Sequence, residues 1–160
     1  MKPSFLFLSI VLSAGSLVAR EPAWIFNNGP DGTAIALGQG QLLREAGLTR
    51  LIPTGTDLTL TVSMGPDDAF PADQRPFFAV RYKYKTTVGY AGVFFTTDTL
   101  TALSDKSYSM FPVIGDNTWR NAIVDMRSFD HKNWTGTVTS FRFDPTNPSD
   151  RDSVYQVSRL

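Results

Sequence analysis

The sequence predicts an all-β domain behind a cleavable leader: an antiparallel sandwich of two sheets built from about ten short strands. Three observations carry that reading. β-Prone runs recur about every 8 to 14 residues, separated by Gly, Pro, Asn and Asp. Several runs alternate between apolar and polar residues, the period of a strand with one buried face. No segment sustains helical periodicity; only Gln41 to Ala46 would make a helical turn, ended by Gly47.

The leader comes first. Lys2 precedes an apolar run from Phe5 to Val18, which reaches the small residues Ala14, Gly15, Ser16 and Ala19 before Arg20-Glu21-Pro22. A basic start, an apolar middle and a small-residue end make a signal peptide over residues 1–19, cut after Ala19, leaving a β-sandwich domain over residues 20–160. The run falls short of the roughly 20 residues that a membrane span needs, so no span remains after cleavage. The expected location is secreted, extracellular or periplasmic. The whole chain carries 15 basic and 15 acidic side chains, and losing Lys2 leaves 14 against 15. Near-neutrality gives no field to draw the domain to nucleic acid or to an anionic membrane. Cysteine is absent, which removes thiolate chemistry and cysteine-ligated metals.

Strands are predicted at Ala23–Phe26, Thr33–Leu37, Leu48–Ile52, Leu58–Met64, Phe77–Lys85, Ala91–Thr96, Tyr108–Val113, Trp119–Asp125, Thr137–Phe143 and Ser153–Leu160. The clearest is Phe77–Lys85. Phe78, Val80, Tyr82 and Tyr84 share one face, while Phe77, Ala79, Arg81, Lys83 and Lys85 share the other. Between strands, Asn27-Asn28-Gly29-Pro30-Asp31-Gly32, Gly65-Pro66-Asp67-Asp68 and the stretch from Asp144 to Asp152 concentrate residues that favour turns. A meander of this length must stack its faces, which gives the two sheets.

The order of several pieces resembles a known module. Phe77-Phe78-Ala79-Val80-Arg81-Tyr82, Val93-Phe94-Phe95-Thr96-Thr97, Phe111-Pro112-Val113 followed by Asn117-Thr118-Trp119, and Trp134-Thr135-Gly136-Thr137-Val138-Thr139 running into Arg142-Phe143-Asp144-Pro145 resemble the galactose-binding-like jelly rolls. Trp24-Ile25-Phe26 resembles their opening strand, and Val154 to Leu160 the closing one. The resemblance implies a jelly-roll β-sandwich of the kind found as carbohydrate-binding modules in secreted carbohydrate-active enzymes. It also implies that Trp24, Trp119 and Trp134 are structural. Trp119, after the turn Gly115-Asp116-Asn117, is expected to cover an end of the core.

Few residues offer chemistry. His131 is the one histidine, set in a polar loop with no nucleophile elbow, so it reads as a solvated residue. Asp98, Asp105, Asp116, Asp125, Asp130 and Asp144 fall in loops and strand ends; two of them at the right separation would make a glycosidase pair, and turn capping accounts for Asp67, Asp98, Asp116 and Asp144. Asp144, Asn147, Asp150 and Asp152 cluster in one loop; ordinary loop solvation is the favoured reading and no cofactor is expected, while a structural calcium ion, which takes such hard oxygen ligands, is the alternative, with Asp144, Asp150 and Asp152 as its candidates. Asn133-Trp134-Thr135 is a formal glycosylation acceptor, and it reads as incidental.

Sugar binding calls for an aromatic face and hydrogen-bonding groups beside it. Tyr90 and Tyr108 are the freest rings, lying near Gly89, Gly92 and Ser109 at strand ends. Arg81 and Lys83 project from the polar side of their strand. If Thr137–Phe143 joins the same sheet, its outward set is Val138, Ser140 and Arg142, and the cations share one face suited to carboxylate or sulfate groups. The expected function is therefore an exported, non-catalytic carbohydrate-binding module for an acidic polysaccharide, with Arg81, Lys83, Tyr90, Tyr108 and Arg142 as its ligand contacts. A small glycoside hydrolase or polysaccharide lyase is the alternative with chemistry. A structural or protein-binding module of an extracellular or envelope complex is the third.

Overall fold

The computed structural model describes residues 34–45, 48–128, 133–146, 148–149 and 152–159. The signal peptide expected over residues 1–19, the strand expected at 23–26, Trp24, Asp130, His131, Asn147 and Asp150 lie outside the described residues.

The described chain forms eleven strands: β1 (Ala34–Gly38), β2 (Gly40–Glu45), β3 (Leu48–Pro53), β4 (Thr59–Ser63), β5 (Phe70–Pro71), β6 (Phe77–Lys85), β7 (Tyr90–Thr97), β8 (Tyr108–Pro112), β9 (Arg120–Asp125), β10 (Thr137–Asp144) and β11 (Val154–Arg159). One short 3₁₀ turn, Ala72–Gln74, leads from β5 toward β6. A six-stranded sheet has the order β1-β4-β10-β7-β8, with β5 beside the first half of β10. A five-stranded sheet has the order β2-β3-β11-β6-β9. Every pairing is antiparallel. Consecutive strands repeatedly switch sheets, as from β6 to β7 and from β9 to β10, which makes this a two-sheet sandwich of the jelly-roll kind.

Alternation builds the core. Leu60 and Val62 of β4, Val93 and Phe95 of β7 and Phe141 and Phe143 of β10 face inward from one sheet; Phe78, Val80, Tyr82 and Tyr84 of β6 with Tyr155 and Val157 of β11 face them from the other. Phe78 joins the two layers, with its ring centroid 5.9 Å from that of Phe141 and 6.0 Å from that of Phe143. At the other end Tyr84 meets Tyr155 edge-on at 5.0 Å. Trp134 is buried, T-shaped on Phe95 at 4.8 Å, and its indole N–H donates to the Ala72 carbonyl at 2.7 Å. The polar end of that ring is satisfied by backbone, the usual condition for burying a tryptophan.

Four expectations are corrected. Gln41 to Glu45 forms most of strand β2, because pairing from Gly40↔Pro53 to Glu45↔Leu48 puts Leu42 against the core and satisfies the backbone across a tight hairpin. β10 joins the six-stranded sheet and β6 the five-stranded one, so Arg142 and Arg81 do not share a face. Val138 is fully buried: a bulge between Val138 and Ser140 turns Val138 inward together with Phe141, leaving Ser140 and Arg142 outward. Trp119 does not cap the core. It is half-buried just before β9, with the Arg81 guanidinium 5.3 Å from its ring centroid.

Candidate functional site

The outer face of the six-stranded sheet gathers rings on β7 and β8. Ala91, Val93, Phe95 and Thr97 point inward, so Tyr90, Phe94 and Thr96 point outward. On β8, Ser109 and Phe111 are buried, and Tyr108, Met110 and Pro112 take the outer side. Register then fixes the neighbours: Tyr90 opposite Pro112, Gly92 opposite Met110, and Phe94 opposite Tyr108. The Phe94 and Tyr108 rings stack with centroids 5.2 Å apart and planes 25° apart. Tyr90 stands free at 56% exposure. The result is a strip of apolar ring surface along one edge of the sheet.

A polar flank adjoins it on β10. Arg142 lies opposite Phe94 and holds its guanidinium 5.0 Å from that ring's centroid. Its Nε donates to Asp144 Oδ1 at 2.8 Å, and Nη2 donates to Asp144 Oδ2 at 2.9 Å and to Asp57 Oδ1 at 3.2 Å. The two bonds to Asp144 are a fork on a carboxylate, the strong geometry for this pair. Burial pushes the Asp144 carboxyl above its ordinary range, and the Arg142 bonds pull it part of the way back. The same contacts, bonding to Asp144 first, hold the Arg142 proton more firmly. Beyond the arginine runs a row of hydroxyls, with Thr96 Oγ1 at 2.9 Å from Thr139 Oγ1 and 2.6 Å from Ser140 Oγ.

This face can grip without donating a proton. Its strip offers the flat apolar surface on which a pyranose ring stacks, while the guanidinium and hydroxyls sit where sugar hydroxyls would need partners. Asp144 has the raised carboxyl that a general acid requires, yet its side chain is 2% exposed and both its oxygens accept from Arg142. One cation against two carboxylates leaves the cluster with no net positive charge.

Of the residues singled out from sequence, the structure brings Tyr90, Tyr108 and Arg142 together on this face. Arg81 and Lys83 lie on the outer face of the other sheet, on the far side of the core. Asp144 is locked to Arg142, Asp152 is exposed at the end of its loop, and Asp150 lies outside the described residues. Among the described residues no three acidic or histidine side chains are placed to hold a metal ion. Asp98 does not cap its own turn, where the Thr97 hydroxyl accepts from the Leu100 N–H; its Oδ1 accepts the Thr137 N–H at 2.9 Å, 39 residues along the chain. Turn capping fits Asp116, whose Oδ1 accepts the Thr118 N–H at 3.1 Å. It does not describe Asp144, whose carboxylate faces an arginine. Sequence reasoning missed Phe94 and Asp57. Phe94 sits inside the apolar run Val93-Phe94-Phe95, where only strict alternation marks it as outward; Asp57 meets Arg142 across 85 residues of chain, with no local signal.

No family model matches this chain, and no curated protein does. Solved structures do. A variant of a family 29 carbohydrate-binding module superposes at a TM-score of 0.54, with 12% identity over 82% of this chain and 82% of that one. A second family 29 variant gives 0.53 at 12% identity over 83% and 82%. A third, complexed with cellulohexaose, gives 0.51 at 11% identity over 82% and 81%. Likeness at such identity is likeness of fold.

Proposed function

We propose that this domain is a carbohydrate-binding module whose sugar platform is the outer face of the six-stranded sheet. The observation that carries the reading is the strip formed by the exposed Tyr90 and the half-buried, stacked rings of Phe94 and Tyr108 beside Arg142, on a rigid sheet whose opposite side is full core. Folding leaves such rings outside only at the expense of their burial, and their grouping with a guanidinium and hydroxyls matches what a sugar presents. Solved carbohydrate-binding modules of the same fold, one of them complexed with cellulohexaose, support the assignment by analogy. Polysaccharides are met outside the cell or in its envelope, in keeping with the export expected from residues 1–19.

The finer reading, a preference for acidic polysaccharide, takes a changed form. Arg142 is committed to Asp144 and Asp57, so the platform itself offers no spare cation. The preference is assigned instead to Arg81 and Lys83 on the other sheet.

Affinity electrophoresis through gels containing neutral or acidic polysaccharides tests the platform. Tyr90→Ala is expected to weaken retention by at least about tenfold, roughly 1.4 kcal/mol, with the melting temperature unchanged because Tyr90 is exposed. Retention by none of a broad panel, or retention indifferent to Tyr90→Ala and Tyr108→Ala together, would overturn the assignment.

A further inference from the structure

We infer that the outer face of the five-stranded sheet is a second binding surface, separate from the sugar platform, and that it takes an acidic polysaccharide. The inference extends the carbohydrate reading above but draws on different residues.

Strand β6 turns Phe78, Val80, Tyr82 and Tyr84 into the core, which sends Arg81, Lys83 and Lys85 outward from one line of backbone. Residues two apart on a strand are about 6.7 Å apart, so three cations span roughly 13 Å. A fourth lies across the sheet: Gln156 of β11 pairs with Arg50 of β3 on one side and with Lys83 on the other, placing Arg50, Gln156 and Lys83 in one row. None of Arg50, Arg81, Lys83 and Lys85 forms an ion pair among the described residues. Nearby carboxylates are turned to other arginines. Asp125 receives Arg127 through two bonds of 3.0 Å, and Asp116, which bridges to Lys85 through backbone, gives its carboxylate to Arg120 at 2.6 Å.

Four unneutralised cations on one flat face of a chain with no formal net charge are a local device, not a consequence of composition. A polyanion is the complementary partner. The groups between the charges, Gln156 and Asn121, are amides able to bond hydroxyls, and the neighbouring ring of Trp119 is already covered by Arg81. Phe77, 57% exposed at the start of β6, holds the Arg127 guanidinium 5.4 Å from its ring centroid, so both rings of this face already carry an arginine, and the lining suits a hydroxyl-rich acidic chain better than nucleic acid bases, which need open rings to stack on. Sheets in a sandwich are about 10 Å apart, so a polymer on this face cannot touch Tyr90 on the other.

The test uses the secreted chain on polygalacturonate-agarose, with cellulohexaose and the neutral polysaccharides of the electrophoresis panel in parallel. Retention on polygalacturonate is expected at low salt and should fall at least tenfold by 0.5 M sodium chloride, because exposed charges are screened. Lys83→Glu/Lys85→Glu should lose retention at least tenfold while leaving neutral-glycan binding and melting temperature unchanged. Tyr90→Ala should do the reverse. Absence of retention at low salt, or unchanged retention of the double variant, overturns the second surface. Loss of both activities in either variant overturns its separateness. Stronger retention on DNA-cellulose or on vesicles containing phosphatidylserine overturns the choice of polysaccharide. Retention on polygalacturonate with no neutral glycan bound by any variant upholds this surface and removes the platform reading alone.

Discussion

Arg142 shows how one side chain serves both charge neutralisation and packing. Its fork neutralises a carboxylate that is almost wholly shielded from water, and its flat face covers Phe94. Because burial raises the Asp144 carboxyl above its unfolded value, the native state holds more protons than the unfolded state between those two values. Stability therefore falls as pH rises through that window, and Arg142 limits the fall. In Arg142→Met the lowering bonds vanish, the carboxyl moves higher and the window widens. The expected destabilisation is about 3 kcal/mol at pH 7, the scale of breaking a buried pair, and it shrinks steadily toward pH 4 as Asp144 takes up a proton. Urea unfolding of wild type and variant across that range measures the difference. A pH-independent gap would mean that the arginine contributes packing only.

At the scale of elements, the turn into β10 sets the register on which the platform depends. Gly136 has φ +75°, a region that side chains rarely adopt, and a Cβ there would run into the Asp98 carboxylate. That carboxylate accepts the Thr137 N–H, the Asp98 N–H donates to the Thr137 carbonyl at 2.9 Å, and the Gly136 carbonyl accepts the Ala72 N–H at 2.9 Å. Gly136→Ala is expected to cost about 1 to 3 kcal/mol, read as a lowered midpoint of thermal or urea unfolding, and an unchanged midpoint would show the turn to be slack. This element also marks the limit of what alternation discloses. Phe77–Lys85 is recovered residue for residue from its period of two, and the other strands expected within the described residues, β2 and β5 not being among them, follow within a residue or two. β2 was hidden because Gln41-Leu42-Leu43-Arg44-Glu45 favours helix locally, and only the partner strand Leu48–Pro53 overrides it. The two-residue β5 has no pattern to read. Inside β10 a single extra residue reversed the face of Val138, since a bulge breaks the period that the prediction used.

The whole molecule explains why only half of the candidate site could be read from the sequence. Tyr90, Tyr108 and Arg142 were each legible as outward polar or aromatic positions, but nothing local says which sheet a strand joins, and that choice parts Arg142 from Arg81 and Lys83. The parting gives the domain two chemically distinct outer faces, one of rings beside a neutralised arginine and one of unneutralised cations, back to back across a single core. A rigid sandwich has no hinge through which one face would close the other, so occupancy of the two should be independent. Bridging follows. Beads of polygalacturonate loaded with the protein are expected to capture labelled hydroxyethylcellulose, or whichever neutral polysaccharide the electrophoresis panel selects, whereas beads without protein are not. Either Tyr90→Ala or Lys83→Glu/Lys85→Glu should abolish capture, the first by freeing the neutral chain from bound protein and the second by releasing protein and chain together at low salt. Effective concentration sharpens the contrast, because several domains on one bead engage one long polymer and multiply a weak single contact. If the protein binds each polymer alone but never both, the two faces compete for one site.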